Sequence, residues 1–114
     1  MPFVLAVDGN AQLHRLQAVN PHAFMFVDEP GLQFIFSAMA GYGDIKAKGD
    51  MDLFFSQIDR PRGIHLCGNP DWDFLLGLDL DVVSLDAYTN AEILARHAGS
   101  IRRHLDRGGV IVWG

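Results

Sequence analysis

The chain has a single cysteine, Cys67, among 114 residues. A lone thiol closes no internal disulfide, which fits a reducing compartment and a cytoplasmic location. There is no run of Lys or Arg, and the formal net charge is −5. Without a basic stripe nothing neutralises phosphates, so nucleic acid is not an expected partner. The apolar runs fall far short of the roughly 20 residues that a membrane span needs, so no membrane partner is expected either. Met1-Pro2-Phe3 has neither the basic start nor the cleavage site of a secretory signal. No internal repeat and no low-complexity segment breaks the chain. What is present is an ordinary globular composition, 49% hydrophobic and 20% charged. That length and balance suit one domain, 1–114, around one core.

The stretch Gly63-Ile64-His65-Leu66-Cys67-Gly68-Asn69-Pro70 is the most informative. It reads as a buried strand running through a polar, glycine-containing turn into a helix. Side chains alternate along a strand, so His65 and Cys67 point the same way. They stand at the strand's C-terminal end, where parallel α/β proteins place their chemistry. Imidazole and thiolate together suit zinc.

The rest of the chain is ordered around this stretch. Phe3 to Val7 alone reads as a strand, but Leu5, Leu13, Leu16 and Val19 fit a helical stripe. The spacing predicts a helix over about residues 10–19, ended by Asn20-Pro21. Ala23 to Val27 is a continuous apolar run, expected as a parallel strand buried on both faces. It leads into Asp28-Glu29-Pro30-Gly31, read either as a solvated turn or as carboxylates aimed into a pocket. Leu32 to Ala40 reads as a short helix or a packed loop, and residues 41–49 as a flexible stretch placed to cover a site. Met51, Phe54, Phe55 and Ile58 fall at helical spacing, with Asp50 as the expected N-cap. Asn69-Pro70 is the expected start of the next helix, and Gly77 its end. Leu80 to Leu85 predicts a third buried strand, ending in Asp86-Ala87-Tyr88. Thr89 or Asn90 then caps one long helix with the stripe Leu94, Ala98, Ile101 and Leu105. Gly108-Gly109 ends it, and Val110 to Trp113 predicts a fourth buried strand. The histidines 14, 22, 97 and 104 are read as having no functional role.

This order predicts repeated βαβ units with right-handed crossovers and a parallel sheet. Polar groups gather where the strands end: Asp28 and Glu29, then His65 and Cys67, then Asp86. Four parallel strands leave two unpaired edges and want cover on both faces. The expected architecture is therefore part of a (β/α)8 TIM barrel with about four strands. Its completion would come from further chain or from a homo-oligomer.

Four segments carry a resemblance to a known family: Val27-Asp28-Glu29-Pro30, His65-Leu66-Cys67-Gly68-Asn69, Ser84-Leu85-Asp86-Ala87-Tyr88, and Gly108-Gly109-Val110-Ile111-Val112-Trp113-Gly114. In order and spacing they resemble the superfamily of cobalamin-independent methionine synthase and uroporphyrinogen decarboxylase, whose members are TIM barrels. The likeness is closer to the methionine-synthase type and spans most of 24–114. It implies a methyltransferase of methionine biosynthesis, in which zinc activates the thiol of homocysteine or a similar small-molecule thiol. By resemblance His65 and Cys67 match zinc ligands, and Asp86 stands where the family carries a glutamate ligand. Asp28 matches the aspartate that holds the amino group of the amino-acid substrate, and Glu29 adjoins it. The family's last cysteine ligand falls on a strand beyond Gly114.

Two other readings compete. A decarboxylase-like or corrinoid-methyltransferase-like barrel is suggested by the Gly68-Asn69 pair. A tetrapyrrole decarboxylase wants arginines at the mouth to hold carboxylates, whereas Arg60 and Arg62 precede a strand, at its other end. The third reading is a non-catalytic remnant or an assembly subunit.

Overall fold

The computed structural model describes residues 2–28 and 44–114, with the side chains of 2–9 and of Asp44 left aside. In chain order the elements are α1 (Pro2–Val19), β1 (Met25–Asp28), α2 (Asp44–Ser56), β2 (Arg62–Leu66), α3 (Trp72–Leu76), β3 (Val82–Leu85), α4 (Ala87–Ala95), α5 (Ala98–Asp106) and β4 (Val110–Trp113). All three strand pairs are parallel, and the sheet order is β1-β2-β3-β4. The α/β class and the parallel sheet agree with the sequence reading. Among the described residues no helix is long and apolar enough to cross a membrane.

Consecutive order decides where the core sits. Right-handed crossovers between neighbouring parallel strands put every connecting helix on the same face. The buried cluster has that one-sided form. Ile64 and Leu66 of β2 and Val83 and Leu85 of β3 pack with Phe55, Ile58, Trp72, Leu75, Leu76 and Leu94 from the helical side. Met25, Val27 and Ile111 extend it on the outer strands. On the opposite face the register aligns Phe26, Gly63, Val82 and Val110 in one row. Phe26 keeps 42% of its surface exposed and Val110 50%. The Phe26 ring lies over Gly63, where a Cβ would stand 2.7 Å from its Cε1. A side chain at 63 would displace the ring.

The outer strands therefore differ from expectation. β1 alternates between half-buried and exposed positions, and β4 is largely exposed, with Trp113 at 61%. Each borders a single neighbour, and no layer among the described residues covers the second face. The apolar run at 23–27 suggests burial on both sides, but the sheet supplies only one.

Local chemistry also moves several boundaries. α1 runs through Gly9 back to Pro2. α2 begins at Asp44, so Asp50 lies inside it and residues 44–49 are helical. Lys46–Asp50 and Lys48–Asp52 form i,i+4 ion pairs across that first part. Such pairs contribute ~0.3–0.5 kcal/mol each and support a helix that contains Gly49. Residues 29–43 lie outside the described set, and with them Glu29 and the expected element at 32–40. α3 is capped by Asp71, whose side chain accepts from the Phe74 amide. Asn69 instead accepts from the Trp72 indole N–H at 2.7 Å. The expected long helix after β3 is two helices. His97 leaves helical geometry, and Asp73 accepts from Ser100 at 2.5 Å while pairing with His97 at 3.1 Å. These contacts fix the start of α5 against α3. Ser100 and His104 face inward, while Ala98 and Leu105 are exposed, so the predicted apolar stripe does not hold on α5. Gly108, at φ 88°, makes the left-handed turn into β4.

His104, read from sequence as having no role, is fully buried. Its Nδ1 accepts from Arg107 at 3.2 Å and its Nε2 donates to the Val110 carbonyl at 3.2 Å. One bond accepted and one donated is the pattern of a neutral imidazole. Burial holds its pKa below the ordinary 6.5, with the Arg107 charge acting the same way and the Val110 carbonyl and Asp81 opposing. The unfolded chain thus binds a proton that the folded chain disfavours. Stability is then lost as pH falls through about 6.5. We expect the melting temperature to drop between about pH 7.5 and pH 5.5, above the range where carboxylates titrate. His104→Gln should flatten that slope. Parallel melting curves for the two proteins across this window would rule out His104 as the source.

Candidate functional site

The C-terminal ends of the strands form one rim. The register pairs Asp28 with His65, His65 with Ser84, and Ser84 with Val112. Register partners in a parallel sheet project from the same face, so Asp28, His65 and Ser84 are neighbours in a single row on the open face. Asp28 is exposed, His65 half-buried and Ser84 buried. Cys67, exposed, lies one residue past β2.

Two of the sequence-predicted residues come into contact. The Cys67 Sγ lies 3.6 Å from the His65 Nε2. The other ring nitrogen of His65, Nδ1, is 3.0 Å from the Ser84 Oγ. When Nδ1 carries the proton it donates to Ser84, and the lone pair of Nε2 is left facing the sulfur. Ser84 thus holds the ring in a fixed orientation, as partners of metal-ligating histidines do. The backbone behind Cys67 is tied down as well. Asn90, buried on α4, donates to the Cys67 carbonyl at 3.5 Å and to the Asp86 carbonyl at 3.2 Å. The Asp86 amide donates to the Leu66 carbonyl at 3.4 Å.

Asp86 is engaged elsewhere. Its Oδ1 accepts from the amides of Tyr88 and Thr89, and its Oδ2 from the Thr89 hydroxyl at 2.7 Å. It is the N-cap of α4, in place of the expected Thr89 or Asn90. Among the described residues no group of three or more His, Cys, Asp or Glu side chains converges as a metal cage. His65 and Cys67 meet, Asp28 stands in register beside His65, and Asp86, just past β3, is spent on capping its helix.

Ser84 and Asn90 carry the site, and sequence reasoning did not single them out. Ser84 is visible as a polar residue inside a buried strand, but its meaning needs the register that sets it beside His65. Asn90 was read as a cap. The arginines lie away from the rim. Arg60 bridges Asp79 at 2.5 Å and Asp81 at 2.7 Å, and Arg62 begins β2, both at the opposite end of the sheet. The Arg60 guanidinium holds the Asp79 carboxyl below its ordinary pKa. A cavity of about 250 Å³ lies between α3 and α5, lined by Asp73, Ser100, Arg103 and Arg107 among others. Its polar groups bond one another, Ser100 to Asp73 and Arg103 to Ser100, so it reads as a structural joint. The rim, where His65 and Cys67 meet, is the candidate site.

Comparison with family models, curated proteins and solved structures finds no match for this chain.

The roles of Asp86 separate by substitution. Asn caps a helix as well as Asp, whereas Ala does not, at a cost of about 1 kcal/mol. Asp86→Ala should lower the melting temperature by roughly 3–6 °C, and Asp86→Asn should restore most of it. A destabilised Asp86→Asn alongside an unaffected Asp86→Ala would show that capping is not its main contribution.

Proposed function

We propose that this chain forms part of a methionine-synthase-type (β/α)8 barrel. In this reading its rim uses zinc, held by His65 and Cys67, to activate a small-molecule thiol for methyl transfer. The observation that carries the proposal is the 3.6 Å separation between Nε2 and Sγ. Zn–N of 2.0–2.1 Å and Zn–S of 2.3 Å in a tetrahedral site put nitrogen and sulfur about 3.6 Å apart. The two donors are thus already spaced as neighbouring ligands of one ion. Two protein donors are fewer than the three of a catalytic zinc site. The remaining positions are left to the substrate thiol and to donors outside the described set.

Metal coordination would supply a thiolate at neutral pH, the nucleophilic form. The chain's own residues prepare for it. Ser84 orients His65 and leaves Nε2 free to coordinate. Asn90 holds the backbone of Cys67, so the sulfur is presented from a constrained turn. Asp28, exposed in the same row, offers a carboxylate to the ammonium of an amino-acid substrate.

A metal-free reading has one observation in its favour. An S–H···N hydrogen bond also accommodates 3.6 Å, and no third ligand converges among the described residues. Titration with zinc, and with cobalt as a spectroscopic substitute, distinguishes the two. The proposal expects a sulfur-to-cobalt charge-transfer band that is lost in Cys67→Ser and His65→Ala and perturbed by homocysteine. Ser84→Ala should weaken metal affinity by about 10- to 100-fold, the usual effect of removing a partner that orients a ligand. Equal metal affinity in wild type and Cys67→Ser would refute the zinc reading and leave the hydrogen-bonded pair.

A further inference from the structure

We infer that two copies of this chain close head to tail into one eight-stranded parallel ring, β4 of each pairing with β1 of the other. The inference rests on how the elements fill a ring and is independent of the zinc proposal.

The first observation is that strands and helices match in number. In a ring of parallel strands each neighbouring pair is bridged on the outside by one helical layer. Within one copy α2 bridges β1 and β2, α3 bridges β2 and β3, and α4 with α5 bridges β3 and β4. α1 is left over. It packs on α2 and on β1, so it flanks α2 on the side of the sheet that ends in β1. That is the place of the layer bridging a preceding strand to β1. In a two-fold ring the preceding strand is β4 of the other copy. Counting the described residues, two copies then supply eight strands and eight outer layers.

The second observation is that the surfaces such a ring would cover are apolar and exposed. On the open face Phe24, Phe26, Val110 and Val112 keep between 37% and 50% of their surface. The rings of Phe24, just before the outer strand β1, and of Phe26, on it, lie 5.1 Å apart and tilted to each other, and the two valines lie on the outer strand β4. Eight strands enclose an interior just wide enough to be filled by side chains. Outside the sheet, Trp113 on β4 and Leu16 on α1 are each 61% exposed, and the seam would bring β4 beside the partner's α1.

The third observation is edge chemistry. The amides of Val110 and Gly114 bond inward to Asp81 and Leu85. Amides alternate along a strand, so those of Ile111 and Trp113 point to the outer edge. β1 and β4 run in the same direction, so a parallel seam joins unlike edges. Such head-to-tail contacts form a closed ring when the rotation fits, here a half-turn.

Sedimentation and light scattering over a range of concentrations test this on the 114-residue chain, with and without EDTA. The expected result is a discrete species of twice 12.6 kDa, unchanged by EDTA. Trp113→Pro removes an outward amide and a side chain that the monomer leaves exposed. With one seam bond lost at each of two seams, the dimer should dissociate roughly 30-fold more readily. Val112→Lys puts a charge on the open face and should dissociate it further. Circular dichroism confirms that each variant keeps its helical content. A monomer at every concentration overturns the inference and assigns the open face to other polypeptide. Open-ended oligomers, loss of the dimer in EDTA, or a dimer indifferent to both Trp113→Pro and Val112→Lys overturn it equally.

Discussion

Four parallel strands paired in chain order leave the helices one face to occupy. That constraint divides the molecule. On the helical side apolar residues from β2 and β3 meet those of four helices and are buried. On the other side Gly63, Val82 and Ser84 of the two inner strands are buried, His65 is half-buried, and the outer strands β1 and β4 leave Phe26, Val110 and Val112 exposed. The division also runs along the strands. At their N-terminal ends Asp81 binds the sheet together: its carboxylate accepts from the Arg62 amide at 2.9 Å, and its carbonyl from the Val110 amide at 2.8 Å. Arg60 adds charge pairing there, and His104 is locked between Arg107 and β4. These contacts serve stability, although the Nε and one Nη of the buried Arg62 find no partner there. At the C-terminal ends His65 and Cys67 meet.

Much of this was legible in the sequence because strand and helix periods differ. The alternation of strands and helices from Met25 onward follows from apolar runs separated by helical spacing. The convergence of Asp28, His65 and Cys67 on one face follows from the two-residue period of a strand and from parallel pairing. What the pattern did not carry is any feature set by partners distant in the chain. α2 starts early because Lys46 and Lys48 pair with Asp50 and Asp52 across a glycine that propensity alone would mark as a break. The helix after β3 divides because Asp73, on α3, takes both Ser100 and His97. The buried face of α5 then consists of Ser100 and His104, which no apolar stripe would indicate. β1 and β4 read as doubly buried because they are apolar, but exposure depends on how many layers the sheet receives.

Asp86 shows why residue type underdetermines role at such a rim. A carboxylate that ends a parallel strand also precedes a helix, and a helix start offers unpaired amides. An aspartate one residue before the first turn is well placed to accept them, and Asp86 accepts from two amides and a hydroxyl. Histidine at 65 has no such local alternative. Its strand amides are spent on the ladder, its neighbour in register is a buried hydroxyl, and its remaining nitrogen faces sulfur. The rim therefore depends on β2 for its chemistry and on β3 and α4 to hold that chemistry in place: Ser84 aims the imidazole, Asn90 holds the turn that bears the thiol, and Asp86 fixes the helix that carries Asn90.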